Sequence, residues 1–377
     1  MKTKSLFLAF AGLGLFACTN EDVNQGGIEG DATVTVSVNT AISRSRSILP
    51  SDPINGTQGN QLPVDIESIS VKLTAIQGSD TQEFESIDEL NNGTVTFTGV
   101  RNPSKIEVSI NGGKAEDWTL ASIYSEGKTG LKAAMYGSAE GNEFKETKVN
   151  GQTVYEVTVT PRHETALLEF SDISHKDDGE ACIFNKINFE GLFLNHIKLK
   201  EGKDDFMDAT SFLDAKSNEM FAPTFSEIAA ESQNFLTPSA VWPESGKVYS
   251  YTILPEASIN LPILTLCFKD IETKPNYIWG NKDGYGYATV KQYRLINSDN
   301  LTDEQLEAIG AESLTGPSDN QVRVIKSFTA GYVYKFTGLT VADENIGTTI
   351  EGGEDASLVV NVEVLPWTIV EGTVDWN

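Results

Sequence analysis

Few side chains in this sequence are of the kinds that carry catalysis. The three histidines, His163, His175 and His196, fall in no HExxH or other metal-ligand spacing. There is no GxSxG elbow, phosphate-cradling loop or dinucleotide glycine fingerprint. Carboxylates are plentiful, with 54 Asp+Glu against 28 Lys+Arg, so pairs suited to glycoside hydrolysis occur everywhere and none stands out. KDDGE (176–180) and KDDFMD (203–208) read as solvated loops. NKDGYGYA (281–288) lacks the DxDxDG ligand order and reads as a hairpin turn. Tyr277, Trp279, Tyr285 and Tyr287 could stack on a sugar, but read better as core and cross-strand residues. No enzyme, cofactor or metal is expected, and a formal net charge of −26 repels nucleic acid.

Two places invite chemistry performed on the chain. Lys2 and Lys4 precede the apolar run Leu6–Ala17, which has the form of a signal peptide over residues 1–17 and is too short to span a bilayer. Ala17-Cys18 then resembles a bacterial lipobox. That resemblance implies cleavage before Cys18, acylation of its thiol (palmitate) and anchoring to the outer membrane. Residues 18–32, polar and glycine-rich, would be the lipidated tether. The second place is Arg44 and Arg46, a doublet open to any trypsin-like protease. Cys182 and Cys267 sit in apolar strand-like stretches and read as free thiols, although a disulfide is open to an exported chain.

The elements around these sites are short alternating runs broken by Gly, Asn, Asp and Pro, the pattern of an all-β protein built from sandwiches. In DATVTVSVNTAISRSRS (31–47), Val34, Val36, Val38 and Ile42 fall on one face of a strand spanning about 33–42. Further strands are expected at 66–76, 94–100, 105–110, 153–160, 164–170, 182–189, 192–200, 247–254, 261–268, 286–296, 322–328, 331–337, 357–365 and 368–376. A break at Pro161 divides the chain into an N-terminal domain, 33–160, and a C-terminal domain, 161–377. In SDNLTDEQLEAIG, Thr302 and Gln305 form a capping box, Leu301 and Leu306 a hydrophobic staple, and Gly310 the stop. FSEIAAESQNFL (225–236) is a weaker helix candidate. The last stretch, SLVVNVEVLPWTIVEGTVDWN (357–377), puts Leu358, Val360, Val362 and Val364 on one face. Past Pro366, it puts Val370, Val374 and Trp376 on one face of a second run.

A leader with a lipobox, a first strand ending in two arginines, two acidic β-domains and GYVYKFTGLTV (331–341) leading to VNVEVLPWTIV and VDW together resemble the fimbrillins of Bacteroides and its relatives, the subunits of type V pili. The resemblance implies two tandem transthyretin-like β-sandwich domains with a few short helices. It implies an outer-membrane lipoprotein precursor held through Cys18, with cleavage after Arg44 or Arg46. The excised strand would carry Val34, Val36, Val38 and Ile42. Its place would be taken by a donor strand from the 357–377 segment of the next subunit, giving a head-to-tail homopolymer, an extracellular fimbrium that adheres to a host or bacterial surface receptor. Burying four such side chains contributes on the order of 10 kcal/mol, comparable with the stability of a domain. Tip and anchor subunits belong to the same resemblance. Outside it stands a monomeric surface lipoprotein that binds glycan or host protein through the aromatic stretch 277–293.

Overall fold

The computed structural model describes residues 32–38, 65–91, 93–114, 118–176, 179, 182–228, 234–244, 247–256, 261–280, 284–296, 301–315, 321–350 and 357–366. The fold is all-β, with two sandwich domains and three short α-helices among the described residues.

The first sandwich is made of β1 (Ala32–Val38), β2 (Ile69–Ala75), β3 (Gly78–Phe84), β4 (Thr94–Val100), β5 (Pro103–Ile110), β6 (Met135–Glu140), β7 (Lys145–Val149), β8 (Gln152–Val159) and β9 (Arg162–His163). One sheet has the order β4-β1-β8-β7 and the other β3-β2-β5-β6-β9. Period-two alternation explains the packing. Val34, Val36, Phe97 and Val157 from the first sheet meet Val71, Ile106 and Val108 from the second in one continuous apolar cluster.

The second sandwich comprises β10 (Ala166–Phe170), β11 (Ser174–His175), β12 (Phe184–Asn195), β13 (Ile197–Lys198), β14 (Phe206–Met207), β15 (Phe225–Glu227) and β16 (Tyr249–Ile253). The chain continues with β17 (Ile263–Thr273), β18 (Gly286–Leu295), β19 (Ala311–Thr315), β20 (Gln321–Ile325), β21 (Tyr332–Phe336), β22 (Thr340–Val341) and β23 (Ser357–Pro366). Its main sheet runs β15-β12-β17-β18-β23-β21-β10-β16, with β20 beside β18 and β19 beside β20. β11 pairs with β22, and β13 with β14. The core is aromatic: Phe189, Phe235, Phe268 and Trp242 pack ring against ring at centroid separations of 4.9–5.6 Å.

The helices are α1 (Leu120–Ser125), α2 (Phe212–Ser217) and α3 (Asp303–Ala308). In α3, Thr302 Oγ1 accepts from the Gln305 amide and Gln305 Oε1 accepts from the Thr302 amide, the expected capping box. Leu301 and Leu306 are buried, and Gly310 ends the helix at φ +70°. Leu120 of α1 packs into the second core, and the Tyr124 hydroxyl both donates to the Thr252 carbonyl and accepts from its amide at 3.0 Å.

Two expectations are corrected. The stretches 182–189 and 192–200 are not two strands split at Gly191, because β12 runs through it. Gly191 serves close approach there: an added Cβ would lie 2.8 Å from the Ser226 carbonyl oxygen on β15. The 225–236 segment opens as a strand, with Phe225 opposite Phe193, so the helical reading fails there. Backbone pairing with β12, Gly191 opposite Glu227 and Leu192 opposite Ser226, holds this stretch as a strand. The sequence pattern signals none of β3, β6, β7 and β19, nor the two-residue strands β9, β11, β14 and β22. β3 and β7 are sheet edges carrying mostly polar, exposed residues, so they lack an apolar period.

Candidate functional site

The strand expected to be removable lies inside its sheet. β1 pairs antiparallel with β4, from Ala32 opposite Val100 to Ser37 opposite Thr94. On its other side it pairs parallel with β8, from Thr33 opposite Val154 to Val38 opposite Val159. Its burial alternates strictly, Val34 and Val36 being 0% exposed while Thr33, Thr35 and Ser37 are half-buried. Val38 donates its amide to Gly93 at 2.8 Å, closing the end of the strand against the turn before β4.

Transfer free energies for Val34, Val36 and Val38 sum to about 5–9 kcal/mol, within the range of a whole domain's stability. Loss of β1 would also strip partners from backbone groups of β4 and β8 that are now in the sheet interior. The slot therefore demands a replacement with the same period-two apolar pattern. Cys18, Ile42, Arg44 and Arg46 lie outside the described residues.

At the other end of the chain, β23 is also an interior strand. It pairs parallel with β18, from Thr289 opposite Ser357 to Leu295 opposite Val362, and antiparallel with β21, from Tyr332 opposite Pro366 to Phe336 opposite Val362. Val362 and Val364 are buried in the second core. Leu358 and Val360 lie on the same strand, while Val370, Val374 and Trp376 lie outside the described residues. Within one subunit, the β1 valines and Val362/Val364 belong to separate cores. Both strands share one device, a place between one parallel and one antiparallel neighbour.

The aromatic stretch gives no stacking platform. Tyr287 is buried, its hydroxyl accepting from the Phe212 amide at 3.2 Å. Trp279 packs against Phe184 and donates to the Tyr285 carbonyl, and Tyr285 packs on Phe212. Of these four residues Tyr277 alone is exposed, beside Ile278. Cys182 and Cys267 are free thiols, Cys267 fully buried.

One constellation escaped the sequence: His175, Cys182 and Asp343. His175 Nε2 lies 2.7 Å from Asp343 Oδ1 across 168 positions of sequence. Asp343 Oδ2 accepts the Ile183 amide at 2.5 Å and the Phe184 amide at 3.3 Å. Burial works to raise the Asp343 pKa, but hydrogen bonds from His175, Cys182 and the two amides prevail and hold it below its ordinary value. Burial and the adjacent Asp343 push the Cys182 thiol up. The pairing of β11 with β22 brings His175 toward Asp343, the Ile183 and Phe184 amides bonded to Asp343 bring Cys182, and no spacing along the chain signals either.

Among solved structures, the chain resembles a fimbrilin from Porphyromonas gingivalis (13% identity, TM-score 0.49, covering 91% of this chain and 99% of that one). It also resembles the tip fimbrial protein Mfa3 of Porphyromonas gingivalis, solved with a C-terminal truncation (9% identity, TM-score 0.36, covering 89% and 100%). A fimbrial assembly protein from Parabacteroides distasonis is a third (14% identity, TM-score 0.31, covering 81% and 90%). These neighbours are fimbrial proteins. At such identities and scores the likeness carries no weight for function. No protein-family model matches the chain, and no curated protein matches it.

Proposed function

We propose that the chain is a stalk-type structural subunit of cell-surface fimbriae, a pilin rather than an enzyme. It is exported with residues 1–17 as a leader and held at the outer membrane by lipid on Cys18. Cleavage after Arg44 or Arg46 frees it from lipid and from β1 together. It then polymerises head to tail by β-strand exchange, and the filament supports adhesion. The domains are 33–160, which carries the groove, and 161–377, which carries the donor.

The observation that carries this reading is β1 itself. It is a single short strand whose alternate side chains are fully buried, and it is followed within eight residues of its last valine by both arginines. Its removal leaves one slot of defined period, and strand addition from a neighbour supplies apolar side chains and backbone partners at once. Donor and groove on different domains make the contact heterologous, which gives a filament rather than a closed dimer.

The donor is 367–377. The preceding strand, β23, already has both edges paired and Val362 and Val364 buried, so lending it would dismantle the second sandwich. Val370, Val374 and Trp376 carry the period-two pattern past Pro366, where the missing N–H ends a ladder.

The test is replacement of both Arg44 and Arg46 by Ala in the producing cell. The expected outcome is normal export with accumulation of unassembled, lipid-anchored subunits. Fimbriae of normal number and length built from the doubly substituted chain would end the proposal.

A further inference from the structure

The cluster His175, Cys182 and Asp343 plays no part in strand exchange, lying in the second sandwich away from β1. We propose that these three residues bind one divalent transition-metal ion of the zinc type. One ligand atom from each residue lies within 4.8 Å of the other two. The His175 and Asp343 side chains are 7% and 5% exposed, and Cys182 is half-buried.

The donor set decides the class of ion. Imidazole nitrogen, thiolate sulfur and carboxylate oxygen are the ligands Zn²⁺ accepts, at about 2.0–2.3 Å. Ca²⁺ and Mg²⁺ need shells of oxygen, and only Asp343 offers one in this cluster. Three protein ligands leave a fourth position for water or an incoming ligand, as in open zinc sites.

The site is also held in place from outside. Asp343 lies two residues past the end of β22, His175 ends β11, and the pairing of the two strands sets His175 opposite Val341. The Ile183 and Phe184 amides take Asp343 Oδ2, which fixes the carboxylate with Oδ1 toward His175. Such outer partners orient first ligands in metal sites. Cys182 adds a soft donor, its thiol hydrogen-bonded to Asp343 and, at 3.4 Å, to the Phe184 carbonyl.

The proton balance is simple. On loading, the Cys182 thiol releases its proton to solvent and the sulfur lone pair goes to the metal. Before loading, Nε2 carries the ring proton and donates it to Asp343 Oδ1; on loading, that proton moves through solvent to Nδ1, and Nε2 offers its lone pair to the ion. The His175–Asp343 hydrogen bond gives way to two metal bonds. Nothing is oxidised or reduced, and one proton leaves per ion bound.

The test is titration of the purified full-length chain with Co²⁺, followed by displacement with Zn²⁺. The expected result is a thiolate-to-cobalt charge-transfer band that saturates at one equivalent, disappears on adding Zn²⁺ and is absent in Cys182→Ser. Zinc affinity in Cys182→Ser should fall at least about tenfold. Cys182→Ser is the clean variant, because Asp343 also caps two amides and its loss threatens folding; His175→Gln serves as the second. No charge-transfer band in a chain whose circular dichroism shows it folded would overturn the site. Unchanged affinity in a folded Cys182→Ser would assign binding to surface carboxylates, and the cluster to hydrogen bonding alone.

Discussion

Val36 and His163 show how single side chains support the fold. Val36 is fully buried between the sheets of the first sandwich, so Val36→Ala removes its transfer energy and leaves a void. Thermal or urea unfolding of the uncleaved chain should show a loss of about 2–3 kcal/mol. A loss near zero would mean that β1 adds little to the precursor. His163 of β9 is 1% exposed, and burial depresses its pKa to about 3 despite hydrogen bonds to the Ala133 and Ala134 backbone that act the other way. The sign follows from linkage: neutral in the fold, the imidazole takes a proton more readily in the unfolded chain. Its stabilising effect is therefore complete above pH 6.5 and is lost as pH falls from 6.5 toward 3. Between pH 7 and pH 5 the wild type should lose about 2 kcal/mol more stability than a folded His163→Gln variant, measured by urea midpoints. Equal losses would show that His163 is accessible to protons in the fold.

Among the elements, β1 and the segment after β23 have different roles, and truncation separates them. Deleting residues 367–377 should leave the unfolding midpoint of the uncleaved monomer unchanged, since β23 and both its neighbours remain. After arginine-specific cleavage, the same deletion should give no polymer by size-exclusion chromatography. If it polymerises like the full chain, the donor lies elsewhere and β23 becomes the candidate.

The elements also show what the sequence could reveal. β1, β4 and β8 were legible because one face is buried and the other is not, which writes a period of two into the residues. α3 was legible from its capping box. β3 and β7 were not, because edge strands need no apolar face. Gly191 misled, because a glycine that admits a neighbouring backbone looks like one that makes a turn. The His175–Cys182–Asp343 cluster was invisible because its members meet only through long-range contacts, the pairing of two two-residue strands and the bonds of the Ile183 and Phe184 amides to Asp343.

In the whole molecule α1 packs on the second sandwich core, and the chain carries a large negative charge. Leu120 and Tyr124 tie the first half of the chain to the second core. With a formal net charge of −26, subunits repel as they approach. Salt shortens the range of that repulsion from about 30 Å at 0.01 M to about 8 Å at 0.15 M. Polymerisation of the cleaved subunit, followed by light scattering, should therefore be faster at 0.15 M salt than at 0.01 M. A rate that fell with salt would point to an attractive electrostatic contact between donor and groove. The central claim is that β1 leaves the subunit before assembly, and N-terminal sequencing of subunits from isolated surface filaments reads this directly. The account predicts a start at Ser45 or Ser47, with nothing of β1 remaining in the polymer. Filament subunits that begin at Cys18 and retain Val34, Val36 and Val38 would contradict it.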